Sequence, residues 1–119
     1  MSTSKNKIVN KQSKDPIDKV IFEKGLRIAQ ILPVKKQDGL IAFLNNKATI
    51  HVRLSAFERL KKATQAQLDG WELISGGVGV NWPALDEDIS LKGLINQLIL
   101  ENTLRSLDGS GDYNFAVAA

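Results

Sequence analysis

Turn signals at Asp38-Gly39, Asn45-Asn46-Lys47 and Ser75-Gly76-Gly77 cut residues 26–82 into short apolar runs. Gly, Asn and Asp accept the left-handed backbone that a tight reversal needs, so each cluster predicts a change of direction. The runs between them are too short for long helices and rich in β-branched residues. Leu26 to Val34, with Pro33 near its end, predicts an edge strand. Leu40 to Leu44 predicts a second strand. Thr49 to Arg53 alternates, with Ile50, Val52 and Leu54 on one face and Thr49, His51 and Arg53 on the other. These runs read as an antiparallel meander. Trp71–Ile74 and Val78–Trp82 add a hairpin closed by Ser75-Gly76-Gly77. The expected fold class is α+β, built on one antiparallel sheet of about five strands.

Two short helices are predicted between meander and hairpin. Ser55-Ala56-Phe57-Glu58 and Thr64-Gln65-Ala66-Gln67 both have capping-box spacing, and Gly70 stands where a left-handed residue would end the second helix. Pro83 stops the hairpin pairing, and Ser90 is a candidate N-cap. Leu91, Leu94, Ile95, Leu98, Ile99, Leu104 and Leu107 then recur at helical spacing, which predicts a C-terminal amphipathic helix of about 16 residues, 91–107. Leu100 falls off that stripe, giving the helix the width to bury a second face against another copy of the chain. No repeat with a period of tens of residues is visible.

The chain has 119 residues and a net charge of +3, with no cysteine. That length supports one domain. The lack of thiols excludes disulfides, thiolate metal sites and cysteine nucleophiles, and suits a cytoplasmic setting. No apolar run approaches the roughly 20 residues that span a bilayer. Residues 1–24 hold Lys5, Lys7, Lys11, Lys14, Lys19 and Lys24 against Asp15, Asp18 and Glu23, so the whole positive surplus lies there. Residues 1–17 are expected to form a disordered basic leader, residues 18–108 the domain and residues 109–119 a flexible tail. Lys5, Lys7, Lys11 and Lys14 have two readings: an arm for phosphates or an acidic partner, or a plain solubilising leader.

Little catalytic chemistry is on offer. His51 is the lone histidine, on the polar face of a strand, and reads as a general base only if a serine and a carboxylate join it. Asp86, Glu87 and Asp88 read as hard-metal ligands, as a general acid/base pair, as an acidic partner-binding edge, or as charges that favour the positive start of the following helix. Gly76-Gly77-Val78-Gly79 has the glycine content of a phosphate loop but opens a strand rather than a helix. Trp71 and Trp82 are interface-anchor or core candidates. No motif calls for a cofactor or a metal.

The stretch from Trp71 to Leu94 contains the run Trp82-Pro83-Ala84-Leu85-Asp86-Glu87-Asp88. It resembles the signature of the domain of unknown function 2442 family, and the resemblance covers roughly residues 27–95. Asn81 departs from it, since the family commonly has histidine before that tryptophan. The resemblance implies a small α+β domain with no established catalytic activity. It also implies a small protein partner, in gene arrangements that look like toxin–antitoxin pairs. The expected function is therefore a non-catalytic, antitoxin-like protein-binding module, with Trp82, Asp86, Glu87 and Asp88 covering a basic face of the partner. The alternatives are a nucleic-acid-associated regulator acting through the basic arm, and an oligomeric adaptor assembled through helix 91–107.

Overall fold

The computed structural model describes residues 14–108. Lys5, Lys7, Lys11 and the tail beginning at residue 109 lie outside the described residues. The order of elements begins with α1 (Pro16–Asp18), which runs into a wider π-helical turn, Lys19–Glu23. β1 (Ile28–Val34), β2 (Gly39–Leu44) and β3 (Thr49–Arg53) follow, then α2 (Glu58–Lys61) and α3 (Gln65–Leu68). β4 (Glu72–Ile74), β5 (Gly79–Trp82) and β6 (Glu87–Ser90) lead directly into α4 (Leu91–Asp108).

The α+β class holds, with antiparallel strands and a long C-terminal helix. The expected single sheet is corrected to two three-stranded sheets, β1-β2-β3 and β4-β5-β6. The extra strand is β6. Its acidic start looks like a helix flank, yet Glu87 to Ser90 pair residue by residue with Trp82 to Gly79. Pro83 does not end the pairing. It opens a 3-10 turn, Pro83–Leu85, and Asp86 then takes a left-handed conformation that returns the chain. The β1–β2 connection is built the same way, from a 3-10 turn at Lys35–Gln37 and left-handed Asp38. Aspartate accepts this region better than most residues.

Three local expectations are also revised. The second capping box forms, with Thr64 and Gln67 bonding each other's amides. The first does not, because the Ser55 amide and hydroxyl both donate to Asp38, at 2.7 Å each. Residues Leu54–Ala56 form a 3-10 turn instead, and α2 starts at Glu58 without a side-chain cap. Gly70 is not left-handed, and α3 ends on Asp69 in ordinary helical geometry. Asp15 and Ile17 fall within the segment expected as leader: the Asp15 carboxylate accepts from the Ile17 amide at 2.8 Å, and Ile17 packs against the core.

The core lies between the two sheets and the helices. Leu40, Ala42, Ile50 and Val52 come from the first sheet, Val80, Trp82 and Ile89 from the second, and Leu60, Leu68, Leu91 and Leu94 from the helices. Trp82 is fully buried, and its indole N–H donates to the Leu68 carbonyl at 2.8 Å. That bond satisfies the one polar atom of the side chain and ties β5 to α3. The sheets meet where the Ile28 amide donates to the Gly77 carbonyl at 2.8 Å. Gly77 has φ +117, and a Cβ there would collide with the Ile28 backbone.

Gly77→Ala is expected to lower unfolding free energy by about 2–4 kcal/mol, through strain and the lost approach of β1. Gly76 also has positive φ, but open space surrounds it. Gly76→Ala therefore costs only about 1 kcal/mol. Urea denaturation of the two variants side by side measures the difference that the Ile28 contact makes.

Candidate functional site

The residues singled out near the Trp82-Pro83 motif do not form one patch. Trp82 is corrected to a core residue, since full burial keeps it from any partner. Asp86 is exposed at the turn, where its carboxylate and carbonyl accept from the Arg59 guanidinium. Glu87 lies opposite Trp82, on the core-side rim of the sheet. Asp88 points the other way, because side chains alternate along a strand.

That alternation assembles a different set. Register places Glu72 beside Asn81 and Asn81 beside Asp88, one residue from each strand of the second sheet. The opposite face carries Leu73, Val80 and Ile89, which pack on the core. Glu72 and Asp88 are exposed and Asn81 is half-buried between them. Adjacent strands stand roughly 4.8 Å apart, so the two carboxylates flank the amide about 10 Å from each other. The three strands contain three acids and no lysine or arginine. The nearest cation in sequence, Lys92, is held by Asp15 and Asp18 at 3.0 and 2.9 Å. The outer face of the second sheet is thus an acidic ledge. Glu72 was missed because it stands alone in sequence, and only period-two alternation on β4 and β6 could have joined it to Asp88.

The run Gly76-Gly77-Val78-Gly79 is not arranged as a phosphate cradle. The Gly77 and Val78 amides both donate to the Ile74 carbonyl, so neither points outward. His51 lies across Gly39 in a cleft of about 390 Å³ lined also by Asp38, Arg53, Glu101 and Arg105. The Ser55 hydroxyl donates to Asp38 rather than to His51, so these residues do not form a proton relay. Other polar groups of the cleft hold α4 against β3. The Arg53 amide, on the open edge of β3, donates to Glu101 at 3.0 Å, and Gln97 steadies the same carboxylate at 2.8 Å. Lys14 is exposed at the first described position. Among the described residues no helix is long and apolar enough to cross a membrane. No cluster of three His, Cys, Asp or Glu residues among them is placed to hold a metal.

The family model described as "Protein of unknown function (DUF2442)" matches residues 28–99. The chain belongs to that family. The matched span takes in both sheets, the acidic ledge and the body-facing half of α4. A crystal structure of a protein of unknown function from Rhodospirillum rubrum is similar at 30% identity and TM-score 0.54, over 60% of this chain and 86% of that one. A solution structure of an uncharacterized protein from Chromobacterium violaceum shares the fold at 21% identity and TM-score 0.58, over 82% of this chain and 87% of that one. No curated protein matches. Asn81 is the centre of the ledge.

Asp15, Asp38 and Lys92, among the described residues, have shifted titration. The Lys92 ammonium bond, then the Ile17 amide, hold the Asp15 carboxyl below its ordinary value of 3.8. Partial burial raises that of Asp38, but the bonds from Ser55 and Arg53 outweigh this and leave it lowered. Bonds to Asp18 and Asp15 raise the Lys92 ammonium above 10.5. The two carboxylates therefore contribute stability that is complete above pH 3.8 and is lost as pH falls through their lower folded values. Lys92 contributes stability that is complete below pH 10.5 and is lost as pH rises through its higher folded value. In Lys92→Met the deficit relative to the native protein is expected to be constant between those limits and to shrink beyond both. Thermal melts across pH check this, and an unchanged deficit in strong acid counts against the Asp15 contact.

Proposed function

We propose that the protein is a small non-catalytic protein-binding module that meets its partner through the outer face of the second sheet. The observation that carries this reading is the in-register row Glu72, Asn81 and Asp88. Those carboxylates lack a basic neighbour within their sheet, while the face behind them is anchored in the core. A rigid acidic surface of this kind complements lysine or arginine side chains on another protein, speeding encounter and rejecting partners of the wrong charge. It repels phosphate, so this face does not serve nucleic acid. The role we assign is the neutralising member of a toxin–antitoxin-like pair, covering a basic functional face of a small partner. Asp88 remains in the contact from the residues first considered, Glu72 and Asn81 join it, and Trp82 supports it from beneath.

The test is a native-lysate pull-down at moderate salt with the native protein and the Glu72→Lys/Asp88→Lys double variant. Both positions are exposed, so the variant is expected to melt like the native protein. The native protein is expected to retain one small basic protein, and the double reversal to weaken that capture about tenfold or more. Equal capture by both proteins sinks the proposal.

A further inference from the structure

Residues 15–24 form a compact segment whose backbone bonds close on itself. The Lys19 amide donates to the Asp15 carbonyl, Lys24 to Lys19 and Leu26 to Val20. None of these bonds runs to a strand of either sheet. The segment meets the body on one side. Ile17 and Ile21, four residues apart, face inward: Ile21 is fully buried, and Ile17 packs against the core. α1 lies against α4. Asp15 and Asp18, three residues apart, close on the Lys92 ammonium of α4 at 3.0 and 2.9 Å. The other end of the segment turns on Gly25, which has φ +77 and open space around it. There Asn45 grips the chain. Its carboxamide donates to the Gly25 carbonyl and accepts from the Arg27 amide, at 3.0 Å each. From this clamped point the Arg27 guanidinium reaches back to the Ile21 carbonyl at 2.6 Å.

We propose that this segment is a removable cover over a peptide seat on the domain, and that the seat takes an amphipathic segment with acidic groups on its domain-facing side. The occupant seen in the structure defines that chemistry. It presents two isoleucines four residues apart and two carboxylates three apart, and the Asp15 carboxylate also caps the turn that carries Ile17. The receiving surface belongs to the family domain, and the cover does not. Lys92 and the first turn of α4 lie inside residues 28–99, whereas the cover ends before residue 28. A seat built by the family domain is therefore filled here by a segment that stands in front of it. The filling is of an exchangeable kind. Leaving the seat breaks no strand pairing and uncovers one fully buried side chain. It also opens an ion-pair latch whose side chains are between 22% and 39% exposed, within reach of water and salt. Contacts of this local type open at a lower free energy than the whole fold. A partner segment of the same chemistry competes with the cover, which lowers its apparent affinity by the fraction of chains already open. The proposal goes beyond the partner-binding reading and uses a different surface.

Native-state hydrogen exchange on the full chain tests the opening. The Lys19, Lys24 and Leu26 amides are expected to exchange with a smaller urea dependence than the amides of β2, the mark of a partial opening. The full-chain variant Asp15→Lys/Asp18→Lys sets like charges against Lys92 and is expected to hold the cover open on a folded body. A labelled peptide of residues 14–26, followed by fluorescence anisotropy at low salt, is expected to bind this variant with about tenfold or more higher affinity than the native chain. The same peptide with both substitutions is expected to bind neither protein. Equal urea dependence of the cover and β2 amides overturns the proposal, by making the segment part of one cooperative unit. So does a native-sequence peptide that binds variant and native chain alike, or binds neither. The exchange experiment needs no substitution, so it decides the case even where the latch variant fails to fold.

Discussion

The contact on which the rest of the structure depends is the backbone bond from Ile28 to Gly77. Each sheet has only three strands, and a sheet of that size needs something against its apolar face to be stable. The bond sets the first residue of β1 against the hairpin loop of the second sheet, so neither sheet stands alone. The approach is close enough that a side chain at residue 77 is excluded, and the loop must hold positive φ to present its carbonyl. Trp82 then fills the space that this joint creates. Its indole bond to Leu68 draws α3 over the core, and α3 in turn reaches the far edge of the first sheet. There the Gln65 carboxamide accepts from the Lys35 amide and donates to the Pro33 carbonyl, at 2.9 Å each, occupying part of the β1 edge. Glu101 performs a similar service for the Arg53 amide on the opposite edge, β3. Edge groups that would otherwise invite pairing with other chains are thus taken up by side chains from helices.

Most of the first sheet was legible because its turns use residues whose conformational preference is strong. Asp38-Gly39 announces a reversal, and Asp38 does adopt φ 51. The same device at Asp86, with φ 52, was hidden by its acidic neighbours, which read as a flank for the coming helix. Charge and strand geometry are separate properties, and here the charge pattern was the more conspicuous. At Asn45-Asn46-Lys47 the left-handed residue is Lys47, while the asparagines serve as hydrogen-bond partners: Asn45 for Arg27 and Gly25, Asn46 for Ala48. Ser55 failed as a cap for a tertiary reason. The carboxylate of Asp38 lies 17 positions away in sequence and competes successfully for both of its polar hydrogens. No local pattern carries that information.

The binding face was less legible than the fold. Sequence proximity grouped Trp82 with Asp86, Glu87 and Asp88, but a strand sends neighbours to opposite faces and a left-handed turn sends them further apart. Proximity on a sheet follows register, which depends on the lengths of both connecting turns. The useful signal was polar residues alternating with core residues on each strand: Glu72 beside Leu73, Asn81 between Val80 and Trp82, Asp88 beside Ile89. Reading β6 as a strand was the condition for seeing it.

The C-terminal helix shows the same issue in a different geometry. Its apolar residues were read as one stripe, yet a stripe that holds from Leu91 to Leu98 cannot pass through Leu100, Leu104 and Leu107 without changing sides. The change coincides with a change in what lies beneath. Near its start the helix covers the core, where leucine is favoured. Farther along it lies over the edge of β3, where an exposed backbone amide requires an acceptor and Glu101 supplies it. Placing polar groups inward there frees the outward positions from contact with the body, and polar residues would have been the inexpensive choice for them. Leucines occupy three such outward positions nonetheless, Leu100, Leu104 and Leu107.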